Sequence, residues 1–169
     1  MVLHYRNVYL LWISAAVIAA DQITKQMIVK NFAWFETKAI VPHLNLVHMK
    51  NTGAAFSMLS SAPAWVFVIL GVAVSLAILI WLRRNPQGQT LVASAFCLIQ
   101  GGALGNVIDR VTRGHVVDFI DFYWGTWHFA AFNLADSAIT LGAGLLILDM
   151  WLQSRKPAAE RQGAEKSGS

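Results

Sequence analysis

AWVFVILGVAVSLAILIWL, residues 64–82, runs without a charged side chain and stops at Arg83-Arg84. Its length matches the ~20 apolar residues that an α-helix needs to cross a bilayer. Working outward, residues 51–82 and 85–108 both lack Asp, Glu, Lys and Arg, so Thr90–Ile108 is predicted as a second span. Val8–Val29 is predicted as a third, carrying Asp21 and Lys25 in its later half, and Phe132–Leu152 as a fourth, with Asp136 near its start and Asp149 near its end. Four transmembrane helices are therefore expected, at about 8–29, 64–82, 90–108 and 132–152.

Composition supports this. Of 169 residues 56% are hydrophobic and 13% charged, with mean hydropathy +0.51. Soluble domains average ~25% charged residues, so too little polar surface exists to cover a soluble monomer. Disordered chains are poor in apolar residues, which excludes that class as well. Cys97 is the single cysteine, leaving no internal disulfide and no cysteine metal cluster. Residues 1–156 are read as one integral-membrane domain, and the small, polar stretch 157–169 as a disordered cytoplasmic tail. Arg6 followed by Val8–Ala20 has the outline of a cleavable leader, but the apolar run continues past Asp21 through Ile23, Met27 and Ile28, as a full span does.

Four spans put both termini on one side, with the short Arg83–Thr90 connection. That side holds Arg6, Arg83, Arg84, Arg155, Lys156, Arg161 and Lys166 in short segments. The opposite side holds Lys25, Lys30, Lys38, Lys50, Arg110 and Arg113. The denser positive charge assigns the termini to the cytoplasm. The pI near 9.5 arises from these flanks and does not imply nucleic-acid binding. Two segments remain on the outer face. Asn31–Thr37 is aromatic-rich, as in chain lying at a membrane interface, and Leu44, Leu46 and His48 alternating with Asn45 and Val47 read as a short strand. Val111–Ala131 is β-branched and aromatic, with Gly125-Thr126 placed to turn a hairpin.

Polar residues at membrane depth are costly and often functional. Asp21, Thr24 and Lys25 share a helix face; a snorkelling lysine with a local ion pair is one reading, a functional cluster the other. Asn51-Thr52-Gly53 reads as a turn or as part of a site. Gly101, Gly102 and Gly105 suit close helix packing, and Asn106, Asp109 and Arg110 continue their helix. Asp118 is a lone carboxylate on the strand face Val116, Asp118, Ile120, Phe122, Trp124. Asn133 and Asp136 lie one turn apart where the fourth span starts. Two unpaired carboxylates at one membrane face can meet and share a proton, one as base and one as acid. The five histidines lack metalloprotease spacing and no G-x-S-x-G elbow occurs. Cys97, between Phe96 and Leu98, reads as packing. A proton-coupled transporter and a non-catalytic scaffold are the rival classes, although four spans without an internal repeat suit alternating access poorly.

The ordered set Asp21-x-x-Thr24-Lys25, Asn51-x-Gly53-x-Ala55-Phe56, Gly101-Gly102-x-x-Gly105-Asn106-x-x-Asp109-Arg110, Val117-Asp118-Phe119 and Phe132-Asn133-x-Ala135-Asp136 resembles the bacterial lipoprotein signal peptidases, signal peptidase II. The resemblance covers roughly residues 8–152. It implies four transmembrane helices with a small periplasmic β-cradle and an interfacial helix. It implies an aspartic endopeptidase of the bacterial inner membrane that cuts diacylglyceryl-modified prolipoproteins before the lipid-modified cysteine. Asp118 and Asp136 fall on the catalytic pair, Asn51, Gly53, Asn106, Arg110 and Asn133 on substrate-binding or site-ordering positions, and Asp21 and Lys25 on supporting ones. For Arg110, an ion pair with Asp109 or Asp21 competes with contact to substrate. The expected partners are lipid-modified prolipoproteins, membrane lipids and globomycin-type inhibitors, acting on a monomer without metal or organic cofactor. The site is expected near the periplasmic face.

Overall fold

A computed structural model of the chain describes residues 7–53, 62–84 and 89–155. The tail 157–169, and Ala55 and Phe56 of the second motif, lie outside the described residues. Among the described residues, four helices are long and apolar enough to cross a membrane: α1 (Leu11–Asn31, entered through a 3-10 turn at Val8–Leu10), α2 (Ala64–Arg84), α3 (Thr90–Arg113) and α4 (Leu134–Ser154). At ~1.5 Å per residue each reaches about 30 Å, the thickness of the hydrocarbon core. Large apolar side chains such as Trp12, Ile69, Ile80, Leu141 and Ile147 stay exposed on their outer faces, the surface that lipid covers.

Two helix boundaries differ from the sequence expectation. α3 continues to Arg113, because its last polar residues turn inward to buried partners instead of ending the span. Gly114 then adopts the left-handed conformation at φ 75° and bonds back to Arg110 O, a glycine-dependent stop that redirects the chain into a strand. α4 begins at Leu134, with Asn133 as its N-cap accepting the Asp136 N–H. An Asn here satisfies an amide that the first helical turn leaves unpaired.

The outer segments form a four-stranded antiparallel sheet in the order β1 (Thr37–Val41), β2 (Leu44–Asn51), β3 (Val116–Trp124), β4 (Trp127–His128). Gly125, at φ 61°, turns the β3–β4 hairpin. In the β2–β3 register Met49 faces Asp118 and Asn51 faces Val116, so the end of β2 lies beside the start of β3. Ile28 of α1 packs with Val117 and Phe119, seating the sheet on the helix ends. Phe32 to Glu36 joins α1 to β1 without a helix, Trp34 stacking on His48. The interfacial helix implied by the resemblance is not among the described residues.

α3 is the central helix and packs against α1, α2 and α4. Small residues allow this. A Cβ on Gly102 would collide with the Ala135 carbonyl of α4, and one on Gly105 would sit 2.7 Å from Asp21 Oδ2 of α1. Cys97 is fully buried in a cluster with Leu10, Ile78, Leu82 and Ala93, the packing role its neighbours suggested.

Candidate active site

Asp118 enters at the start of β3 and is 2% exposed. Its Oδ1 accepts from Asn133 Nδ2 at 2.7 Å and its Oδ2 from Asn51 Nδ2 at 2.9 Å. Burial, and then the charge of Asp136, raise its pKa from 3.8 to about 7, against the two asparagine hydrogen bonds that lower it. Desolvation and a like charge both disfavour a carboxylate, so this group exchanges its proton near neutral pH. Asp136 enters from the first turn of α4, and its Oδ1 accepts from Asn106 Nδ2 at 2.8 Å. Asn133 also approaches Asn106 Oδ1 at 3.4 Å. One network of asparagine amides thus joins two carboxylates from elements 18 positions apart in sequence.

Beneath it lies a buried ionic cluster. Lys25 is 0% exposed and reaches Asp21 at 2.9 Å, Asp109 at 3.0 Å and Asn106 Oδ1 at 3.0 Å. Arg113 closes the other side of Asp109. Each supporting carboxylate also grips a backbone amide. Asp21 accepts from Ala135 N at 3.0 Å, and Asp109 accepts from Val117 N at 3.0 Å. Those amides belong to the residues just before Asp136 and Asp118. The cluster therefore fixes both chain segments that present the two aspartates. Sequence spacing allowed Lys25 to be a snorkelling residue; its complete burial excludes that.

Arg110 does not pair with Asp109 or Asp21. Its Nη2 donates to Gly53 O at 2.6 Å, and its guanidinium lies 4.7 Å from the centre of the Phe67 ring. Gly53 N in turn donates to Asn51 Oδ1 at 2.9 Å. Arg110 and Asn51 so hold the turn leaving β2, and that turn holds the amide on Asp118.

A cavity of about 990 Å³ opens beside this network over α3, between α2 and α4. Asn51, Gly53, Asn106, Arg110 and Asp136 stand among its lining, with Phe67, Leu70, Val74, Ile99 and Ile139 along the apolar remainder. Asp136 lines the cavity directly, whereas Asp118 is nearly sealed by Asn51 and Asn133. An apolar groove with carboxylates and amides concentrated in one region suits a long lipophilic molecule with one polar reacting bond.

The sequence profile described as signal peptidase (SPase) II matches residues 13–152. The chain belongs to the signal peptidase II family. It is similar to the protein named lipoprotein signal peptidase from Shewanella loihica, 47% identical over 152 residues that cover 88% of this chain and 89% of that one. It is also similar to that of Histophilus somni, 46% identical over 154 residues, covering 89% and 93%. A solved structure described as a bacterial membrane enzyme, obtained in meso at 2.3 Å resolution, superposes with a TM-score of 0.80 at 33% identity, covering 87% of this chain and 90% of that one. The family makes the chain a multi-pass membrane peptidase, and the transporter and scaffold readings fall away.

The predicted site residues lie in this one region: Asn51, Gly53, Asn106, Arg110 and Asp136 line the cavity, Asp118 and Asn133 are buried behind them, and Asp21 and Lys25 lie beneath. Two participants were missed. Arg113 stands one turn beyond Asp109, a spacing that could have revealed it. Gln22, which donates to Asp109 Oδ1 at 3.1 Å, gave no signal, because a glutamine beside Asp21 predicts nothing about a helix that lies far along the chain.

Proposed function

We propose that this protein is an aspartic endopeptidase of the bacterial inner membrane. It removes signal peptides from diacylglyceryl-modified prolipoproteins, cutting immediately before the lipid-modified cysteine. The observation that carries the reading is the pair Asp118 and Asp136, joined through Asn133 and Asn106 at the edge of an apolar cavity. The names of the similar proteins support the substrate class.

In this reading one carboxylate takes a proton from a water molecule as its oxygen attacks the scissile carbonyl carbon. The other, protonated, stabilises the oxyanion and then donates to the leaving nitrogen. The C–N bond breaks, leaving a carboxylate on the signal peptide and a free amine on the lipidated cysteine. Asp118, exchanging its proton near pH 7, is matched to such a role. The diacylglyceryl chains and the apolar signal sequence occupy the cavity between α2 and α4. Both termini lie in the cytoplasm and the sheet lies on the periplasmic side, where water enters. The enzyme acts as a monomer without a cofactor, and globomycin-type inhibitors compete for the same cavity.

The test is cleavage of a purified diacylglyceryl-modified prolipoprotein by wild type, Asp118→Asn and Asp136→Asn, per folded enzyme. Each variant should lose turnover by at least about 10³-fold, and the double variant should be hardly worse than either single one, as residues that share a step behave. Unmodified prolipoprotein should be cut far more slowly. Substantial turnover by either well-folded single variant would overturn the aspartic assignment.

A further inference from the structure

A second concavity lies at the sheet-side ends of α1 and α3 and shares no lining residue with the cavity described above. It is an open groove of about 500 Å³, lined by Gln22, Gln26, Lys30, Asn31 and Arg113 with Ile23 and Met27. Gln22 to Lys30 covers about 12 Å of helix at ~1.5 Å per residue, the depth of a headgroup and the first carbons beneath it. Lys30 stands exposed in the last turn of α1, and Ile23 and Met27 are 60% and 59% exposed further down. Positive charge thus lies at headgroup level above apolar surface.

The floor is polar where lipid should meet only carbon. Arg113 Nη1 is taken by Asp109 and Gln22 Oε1, and Nη2 by Gln26 Oε1 at 3.1 Å. That leaves Nε–H and one Nη2 hydrogen without an acceptor among the described residues, on a side chain that is still 21% exposed. Asp21, Asp109, Lys25 and Arg113 balance in charge, so Lys30 leaves the groove with a net positive charge. A guanidinium with donors to spare, and a lysine above it, match the two non-bridging oxygens of a phosphodiester.

We propose that this groove binds the headgroup of an anionic phospholipid of the sheet-side leaflet, its phosphate between Lys30 and Arg113 and its acyl chain along Ile23 and Met27. Each basic group near an anionic surface contributes roughly fivefold in affinity, and reversing one charge should remove that contribution and add repulsion.

The test uses the full chain in detergent with phosphatidylglycerol or phosphatidylcholine of identical acyl chains, bound lipid being counted by native mass spectrometry. Wild type should retain phosphatidylglycerol at least about fivefold over phosphatidylcholine. Lys30→Glu should bring that ratio to about one, Lys30→Arg should keep it, and Lys38→Glu, on the exposed strand β1, should leave it unchanged. No preference in wild type, a preference that survives Lys30→Glu, or an equal loss in Lys38→Glu would each overturn the site. The readout is binding, so it stands apart from whether the aspartates cut peptide bonds.

Discussion

Replacing Lys25 by Met keeps the volume of the side chain and removes its charge. Lys25 is fully buried, within 3.0 Å of both Asp21 and Asp109, and donates to Asn106. In the variant the cluster loses one of two cations facing two carboxylates. Asp109 keeps Arg113, Gln22 and the Val117 amide; Asp21 keeps the Ala135 amide and Gln22. Asp21 is thus the charge left without a cation. Removing one partner of a buried ion pair costs about 3–5 kcal/mol. At roughly 2–4 °C per kcal/mol for a chain of this size, Tm in detergent should fall by about 6–20 °C. Asn106 also loses a donor that helps orient its amide toward Asp136, so turnover per folded enzyme should fall as well. An exposed pair would be worth ~1 kcal/mol or less. A Tm change under about 4 °C for Lys25→Met would therefore refute the buried-cluster argument. Asp21→Asn combined with Lys25→Met should be less destabilised than the sum of the two, because the orphaned charge is gone.

Further expectations rest on single positions. Folded protein retains the Asp118 proton up to about pH 7, whereas the unfolded chain releases it near 3.8, so stability falls as pH rises across that window. Asp118→Asn lacks this loss; its stability relative to wild type should rise between pH 4 and above pH 7 by an amount on the order of 4 kcal/mol, and parallel Tm–pH profiles would contradict the raised pKa. Gly105→Ala should destabilise by about 1–3 kcal/mol through collision with Asp21, while Gly144→Ala, whose added Cβ meets nothing within 4 Å, should be neutral or gain up to ~1 kcal/mol; similar Tm changes for the two would contradict the close α1–α3 approach. Cysteines placed at Thr126, in the exposed β3–β4 turn, and at Ser154, at the end of α4, should label from opposite sides of the membrane, and labelling from one side would refute the topology.

Four spans could be read directly because crossing a membrane is a local requirement: some 20 consecutive residues must be predominantly apolar, wherever the rest of the chain goes. The hairpin was legible for a similar reason, Gly125-Thr126 lying between runs of β-branched and aromatic residues. The order of short motifs pointed to the family, and Asp118, the lone carboxylate on its strand face, and Asp136, without a charged neighbour in sequence, were marked as unusual. Helix spacing also exposed Asp21 to Lys25. What it could not give is the third side of that cluster. Asp109 lies 84 positions after Lys25, and only the packing of α1 on α3, permitted by Gly105, brings them together. Arg110 shows the same limit. The sequence left substrate contact and an ion pair with Asp109 or Asp21 as competing readings; the guanidinium crosses to Gly53 while Arg113 and Lys25 take the Asp109 carboxylate. Charge pairing inside a protein is decided by which faces of distant helices meet. A buried charge takes the partner that desolvates with it, and sequence neighbours on the wrong face of a helix are left for other work.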